Sequence, residues 1–146
     1  MSRLRILEEK RRLPKSIPLE ERERILELLR TMLQKHSEIL LAIAYGSFLD
    51  SKIFRDIDIA LYTGHKISYD EEPVYVDKVR EELEREIKIP VDIQLLDYAP
   101  PAFRLKVLKG KLLLERVMGL RAVLRLHTAE ELSALKFKAL RHIDQK

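Results

Sequence analysis

The chain has 146 residues, of which 46% are apolar, and its 28 basic and 24 acidic residues give a formal net charge of +4. This length supports one domain, which we expect to span residues 1–146 with its core at about 18–116. The absence of cysteine excludes disulfide bonds and thiolate metal sites. No apolar run approaches the roughly 20 residues of a membrane span, and the N-terminus lacks an apolar signal segment. We therefore expect a soluble, cytoplasmic protein without a membrane partner.

The high proportion of charged residues is informative about growth temperature and about possible ligands. Charged residues make up 36% of the chain and asparagine is absent, a pattern typical of thermophile proteins. The small basic excess permits a polyanionic ligand such as a nucleotide triphosphate but is weak evidence for nucleic acid. Near the N-terminus, glutamates separate the basic residues Arg3, Arg5, Lys10, Arg11 and Arg12, which favours a solvated helix or a frayed arm. We expect no direct binding of nucleic acid.

The first half of the chain predicts one helix and two strands. Apolar residues recur at helical spacing after Pro18 and predict an amphipathic helix to about Lys35. The segment "EILLAIAYG" (38–46) is short and apolar, which predicts a buried strand closed by Gly46. After a short turn, "RDIDIALYT" (55–63) predicts a second strand. An exposed loop is expected at 64–73.

The second half predicts a helix, two further strands and a helical C-terminus. The segments in order are a helix over 76–87, a strand "KIPVDIQLLD" (88–97), a short helix "APPAFRLKVLKG" (99–110) and a short strand "KLLLERV" (111–117). The alternation indicates a mixed α/β domain of the α+β type, with a small mixed sheet flanked by helices. Residues 118–143 are expected to be helical, and Thr128 with Glu131 resembles a capping box, which predicts a break near His127.

The C-terminal region also carries an apolar stripe. Its residues are Leu120, Val123, Leu124 and His127, followed by Leu132, Leu135, Ala139 and Leu140. Two earlier helices already supply apolar faces for the small sheet, so we expect part of this stripe to stay exposed and to dock against a second subunit. That subunit is either another copy of the chain or a helical partner. The structural alternative is that the stripe completes the core of the monomer.

Two carboxylates interrupt the second strand. Side chains alternate along a strand, so Asp56 and Asp58 share one face while the isoleucines between and after them share the other. The same split places Asp92 on the polar face of the third strand. If these strands are neighbours, three carboxylates converge. An Asp-x-Asp alone is more often a solvated face, and the combination with Gly46-Ser47 and a third aspartate is what favours a site.

Carboxylates that repel one another persist where they hold hard cations. Oxygen-only ligands suit Mg²⁺, and two Mg²⁺ ions bridged by an aspartate pair serve in-line attack at phosphorus. Gly46 would let the backbone approach a ligand closely, and Ser47 offers a hydroxyl and main-chain N–H groups for phosphate. The pattern predicts a two-metal site, formed by Asp56, Asp58 and Asp92, that faces a nucleotide triphosphate.

These motifs resemble the DNA polymerase beta-like nucleotidyltransferase superfamily, specifically the minimal nucleotidyltransferases. The family pattern is Gly-Ser, a loop, Asp-x-Asp and a separate third Asp, here Gly46-Ser47, Asp56-Ile57-Asp58 and Asp92. The resemblance covers about residues 25–116. It implies Mg²⁺-dependent transfer of a nucleoside monophosphate, which we expect to be AMP from ATP. It also implies an all-helical HEPN protein as partner, paired as toxin and antitoxin, with a tyrosine hydroxyl as acceptor.

The loop after Gly46 departs from the family pattern, which usually reads Gly-Ser-Arg-x-x-Gly. Here Phe48 stands at the basic position and the second glycine is missing. Lys52 and Arg55 are the candidates for supplying the missing charge to the triphosphate. The shortened loop leaves an alternative open, in which the chain neutralises its partner by binding alone. Nucleotide transfer to a small molecule is a third alternative.

Overall fold

A computed structural model describes residues 13–144, and the predicted basic arm at residues 3–12 lies outside them. The helices and strands in chain order are α1 (Leu19–Gln34), β1 (Leu41–Tyr45), α2 (Ser47–Asp50), β2 (Ile57–Tyr62), α3 (Glu72–Ile87), β3 (Val91–Leu95), α4 (Pro101–Val107), β4 (Lys111–Glu115) and α5 (Leu120–Asp144). A single 3₁₀ turn at Leu96–Tyr98 joins β3 to α4. The mixed α/β fold class is confirmed.

The four strands form one mixed sheet in the order β3-β2-β1-β4. Strand β1 pairs antiparallel with both β2 and β4, while β2 and β3 are parallel. Parallel strands need a crossover connection, and α3 supplies it between β2 and β3. The expectation that the second and third strands are neighbours is therefore confirmed.

Helices cover both faces of the sheet. The face under α1 and α3 is a continuous apolar cluster that includes Leu26, Leu29, Leu33, Ile57, Ile59, Leu61, Val79, Leu83, Val91, Ile93 and Leu95. The face under α4 and α5 holds a smaller cluster of Leu41, Ile43, Ala60, Leu96, Val107 and Leu108. The period-2 alternation of the strands separates the two clusters, as the sequence predicts for β2 and β3.

The C-terminal region differs from the prediction, because α5 is one continuous helix rather than two. Thr128 is buried inside it, with 2% of its surface exposed. The Glu131 carboxylate, which a capping box would direct back towards the backbone, instead accepts a hydrogen bond from the Arg104 guanidinium of α4. Tertiary contact with α4 therefore overrides the local break signal.

The two halves of α5 have different surroundings. Leu120 and Leu124 pack against the smaller apolar cluster. Farther along, Leu135 is 48% exposed and Phe137 is 63% exposed, and Leu140 and Ile143 are similarly open. The second half therefore presents apolar side chains away from the core, which agrees with the expectation of partial exposure. Its docking to a second subunit stays a prediction.

Two further boundaries shift slightly. Helix α3 begins at Glu72, four residues before the predicted start, with Pro73 in its first turn where a proline is tolerated. Asp56 lies one residue before β2 rather than within it. Among residues 13–144, no helix is both long and apolar enough to cross a membrane.

Candidate active site

Strand pairing places two of the predicted carboxylates side by side. In the parallel ladder, Asp58 of β2 lies opposite Asp92 of β3. In the antiparallel ladder on the other side, Asp58 lies opposite Tyr45, the last residue of β1. Neighbouring strands are about 4.8 Å apart, so the three side chains form a row across one face of the sheet. This is the face that α4 and α5 cover only in part.

Gly46 comes directly after this row and closes against it. It has φ +85°, in the left-handed region that favours glycine. A Cβ atom at this position would lie 2.3 Å from Oδ2 of Asp58, closer than any real carbon contact. Glycine is therefore required both by the backbone and by the approach of the carboxylate. The predicted role of Gly46, a close approach of the backbone to a ligand, stays a prediction.

All three predicted aspartates affect the pKa of Tyr45. Burial raises the pKa of the Tyr45 hydroxyl, and the charges of Asp58, Asp92 and Asp56 raise it further, in that order. A phenolate at this position would stand among three carboxylates, so Tyr45 stays neutral and can donate a hydrogen bond. The three predicted aspartates therefore act on a common point, although Asp56 precedes the strand.

The donor set fits a hard cation in chemistry. Asp56, Asp58 and Asp92 supply oxygen ligands only, and Mg²⁺ prefers such ligands. In the described part of the chain, no group of three or more carboxylate or imidazole side chains is already arranged to hold a metal ion. Burial lowers the pKa of Lys15 below its usual value, and the charge of the Asp56 carboxylate partly offsets this effect. That the three aspartates together hold metal ions therefore stays a prediction.

Two cavities open beside the carboxylates. The first, here called the lysine cavity, has a volume of about 580 Å³ and is lined by Gly46, Asp58 and three lysines, with other residues. The lysines are Lys106, Lys109 and Lys111. Lys111 Nζ also lies 3.0 Å from both carboxylate oxygens of Glu23 at the surface. This cavity therefore combines cationic side chains with the Gly46 turn.

The second cavity, here called the carboxylate cavity, lies on the β3 side and has a volume of about 590 Å³. Its lining includes Asp92, Glu72, Gln94 and Tyr98. Burial raises the pKa of Glu72, and the charge of Asp97 adds to the effect while a backbone hydrogen bond opposes it. Both cavities share Tyr45, Asp58 and Phe103 in their walls. The row across the sheet thus separates a basic recess from an acidic one.

The remaining predicted site residues lie at different distances from this row. Ser47 is the first residue of α2, next to Gly46. Lys52 lines a neighbouring cavity with Arg22 and Asp50, and it is not part of the lining of the lysine cavity. Arg55 is exposed, and its backbone carbonyl lies 3.5 Å from Nζ of Lys15. The roles of Lys52 and Arg55 stay predictions.

Sequence reasoning missed the lysine cavity and Tyr45. The signal was present, because "KVLKGK" places three lysines around Gly110. A Cβ atom at Gly110 would lie 2.4 Å from the carbonyl oxygen of Ala44 in β1, so this turn presses directly against the strand that leads to Gly46. The proximity depends on tertiary packing, which the sequence pattern alone does not reveal.

Residues 27–117 match the family model described as polymerase beta, nucleotidyltransferase. The chain belongs to the polymerase beta nucleotidyltransferase family. The matched segment contains the Gly46 turn, all three aspartates and the lysine turn. No curated protein is detectably similar to the chain in sequence.

Solved structures are similar to this member of the family in fold. A chain from the crystal structure of the toxin–antitoxin MntA–HepT has a TM-score of 0.64 at 16% identity, covering 84% of this chain and 97% of that one. A toxin–antitoxin structure with AMP-PNP gives 0.63 at 17% identity, covering 83% and 96%. A complex of a tri-AMPylated HEPN toxin with its MNT antitoxin from Shewanella oneidensis gives 0.60 at 17% identity, covering 82% and 97%.

Proposed function

We propose that this nucleotidyltransferase uses Mg²⁺ to transfer AMP from ATP to a hydroxyl group on an all-helical, HEPN-type protein, as the antitoxin of a toxin–antitoxin pair. The observation that carries the proposal is the pairing of Asp58 with Asp92 on parallel strands, with Gly46 closed against Asp58. This arrangement supplies paired oxygen ligands next to a backbone turn that a polyphosphate could approach.

The three aspartates would hold the metal ions. Asp56 and Asp58 would contribute carboxylate ligands to both Mg²⁺ ions, and Asp92 would contribute a ligand to one of them. When bound, the ions neutralise phosphate charge and orient the triphosphate for in-line displacement. Tyr45 stays protonated beside the carboxylates and would donate a hydrogen bond to a ligand oxygen. Its bulk, with that of Phe103, separates the two cavities.

The nucleotide would bind in the lysine cavity. Gly46 and Ser47 would approach the phosphates with their main-chain groups, as predicted. Lys106 and Lys109 would supply positive charge that the Gly46–Asp56 loop lacks at Phe48. Ammonium groups bind phosphate as mobile point charges, so lysines at the cavity rim suit a flexible polyanion. Lys52 and Arg55 remain alternative sources of this charge.

The acceptor hydroxyl would enter from the carboxylate cavity. Its oxygen forms the new bond to the α-phosphorus of ATP, the bond to the bridging oxygen breaks, and pyrophosphate leaves. Asp92 would accept the hydroxyl proton, because it borders this cavity. Positioning and charge neutralisation provide most of the rate enhancement in such reactions. A protein acceptor is supported by the Shewanella oneidensis complex, in which the HEPN toxin is AMPylated.

The experiment that tests the proposal combines the protein, its helical partner and labelled ATP. We expect label on the partner with Mg²⁺, and none with Asp56→Asn or with a chelator. Mass spectrometry of the partner identifies the modified side chain. Absence of label with the wild-type protein on every partner tested would contradict the proposal.

A second function, neutralisation by binding alone, is favoured by the exposed apolar second half of α5. In that case wild type and Asp56→Asn would inhibit the partner equally, without label.

Light scattering of the isolated protein would test self-association, the other assembly considered. Transfer to a small molecule ranks third, and label on added aminoglycosides rather than on protein would favour it.

A further inference from the structure

Arg22 of α1 is a buried arginine with an unusual set of partners. Only 5% of its surface is exposed. Its Nε donates to the carbonyl oxygen of Ile17 at 2.8 Å. Its two terminal nitrogens donate to the carbonyl oxygens of Phe48 at 2.9 Å, Ser51 at 2.6 Å and Lys52 at 2.9 Å. One guanidinium thus binds four backbone carbonyls, three of them on a single short segment.

Two aromatic rings complete this environment. The guanidinium carbon lies 5.6 Å from the ring centroid of Phe48 and 5.1 Å from that of Phe54. The two rings contact each other edge to face at 4.8 Å, and both are fully buried. Arginine hydrogen bonds well in this fork geometry and its charge is favoured over aromatic faces, which offsets the cost of burying it.

The segment bound by Arg22 leads directly to the carboxylates. Helix α2 is only four residues long, and the chain from Ser51 to Asp56 has no helix and only one isolated bridge. That bridge pairs Phe54 with Lys15 through two backbone hydrogen bonds of 2.7 and 3.0 Å. Few regular backbone bonds hold this stretch, so side-chain contacts must determine its shape.

We propose that Arg22 is a positioning residue of the candidate active site. By binding the backbone carbonyls of residues 48, 51 and 52, it fixes the path between Gly46 and Asp56. It thereby fixes the placement of the phosphate-binding turn at one end of the loop and of the metal-binding Asp56 at the other. Arg22 acts through the backbone of the loop, because all of its hydrogen bonds named here go to backbone carbonyls. The part of this inference that concerns metal and nucleotide binding rests on the proposed function.

Arg116 provides a matched control. It also binds carbonyl groups, donating to Ile39 at 2.6 Å and to Gln34 and His36 at 2.6 and 2.9 Å. These carbonyls lie at the end of α1 and before β1, outside both cavities. Arg22→Met and Arg116→Met each remove one guanidinium that binds several backbone carbonyls. Arg22 is buried and Arg116 is exposed, so thermal unfolding of both variants separates a general loss of stability from an effect at the site. Circular dichroism and thermal unfolding would establish that each variant is folded.

The first measurement is calorimetric titration with Mg²⁺ and a non-hydrolysable ATP analogue. We expect Arg22→Met to weaken binding by about 10- to 100-fold, the range found for residues that orient metal ligands. Arg116→Met should bind as wild type does. The second measurement is amide hydrogen exchange, in which residues 47–56 should lose protection in Arg22→Met while β2 and β3 keep theirs.

Wild-type affinity in Arg22→Met, or equal weakening in both variants, would overturn the proposal. If Arg22→Met does not fold, Arg22→Lys decides, because it keeps the charge but cannot span four carbonyls: weakened binding supports the proposal and unchanged binding refutes it. If the wild-type protein binds no metal and nucleotide, the proposed function fails. Hydrogen exchange would then still decide whether Arg22 positions the loop.

Discussion

The two faces of the sheet are built from the same strands and differ in what they contain. On the face under α1 and α3, Ile57, Ile59 and Leu61 are completely buried in a large apolar cluster. On the opposite face, the intervening positions of β2 carry Asp58 and the small Ala60, next to two open cavities. Alternation along one strand therefore separates the residues that stabilise the fold from those expected to perform chemistry. Substitutions on the two faces should have distinct effects.

The largest expected effect is on transfer by Asp58→Asn. Loss of a carboxylate assigned to both metal ions removes several kcal/mol of charge stabilisation, so we expect AMP transfer to fall by about 1,000-fold or more. Stability should be unchanged or higher, because one of three neighbouring like charges is removed. Radiolabel transfer and urea unfolding measure the two quantities. Asp70→Asn, in an exposed loop, is the control; a similar loss there would break the distinction between the faces.

On the closed face, Ile59→Ala should reduce stability strongly. Truncation of a fully buried isoleucine leaves a cavity and typically lowers the free energy of unfolding by about 2–5 kcal/mol. Denaturant unfolding measures this, and the protein that remains folded should keep its affinity for metal and nucleotide. Ile53→Ala is the matched control, because Ile53 is 59% exposed. A stability loss in Ile53→Ala as large as in Ile59→Ala would contradict the assignment of the core.

A smaller effect is expected where the backbone meets the site. Gly46 has φ +85° and Gly119 has φ +82°, so alanine at either position should cost about 1–2 kcal/mol of stability. Only at Gly46 would the new Cβ atom collide with Asp58, since nothing lies within 4 Å of the position at Gly119. Titration with Mg²⁺ and an ATP analogue should therefore show weaker binding, by about tenfold, for Gly46→Ala alone. Equal affinities of Gly46→Ala and Gly119→Ala would contradict the placement of Gly46 at the ligand site.

The smallest effect on stability is expected on the second half of α5. Leu135→Glu changes an exposed side chain and should alter the free energy of unfolding by less than about 0.5 kcal/mol. Leu124→Glu, which places a charge in the smaller apolar cluster, should destabilise the protein by more than 1 kcal/mol, roughly. Leu135→Glu should have a lower mass by light scattering and weaker partner binding. Lys136, Lys138 and Arg141 would form the rim of this surface. Unchanged mass and unchanged partner binding would contradict the prediction that the second half of α5 is an interface.

The pairing of Asp58 with Asp92 could be predicted because it depends on a short-range rule, whereas the three-carboxylate metal site stays a prediction. Alternation determined the faces of Asp58 and Asp92 relative to their strands, and the condition that those strands are neighbours is met by the parallel pairing of β2 and β3. The prediction of a break in α5 was wrong because Glu131 forms a tertiary contact with Arg104 that a local motif does not contain. The partial exposure of the same helix was predictable from the number of apolar faces that a small sheet can cover.

Residues that act through long-range packing were not predictable. Arg22 lies in the run "EERER", where nothing in the local pattern distinguishes the one buried charge from its exposed neighbours. Lys106 and Lys109 resemble ordinary surface lysines until Gly110 brings their turn against β1. Tyr45 reads as the apolar end of a strand, and its relation to three carboxylates emerges only from strand order.

The parallel ladder between β2 and β3 also determines which changes in chain length the protein can tolerate. Gain or loss of one residue in the turn 88–90 would shift β3 by one position, place Val91 or Ile93 beside Asp58 and turn Asp92 into the apolar cluster. Insertions in the exposed segment 64–70 carry no such penalty. Natural variation should therefore alter the composition of the turn before β3 while preserving its length, and should alter both in the loop after β2.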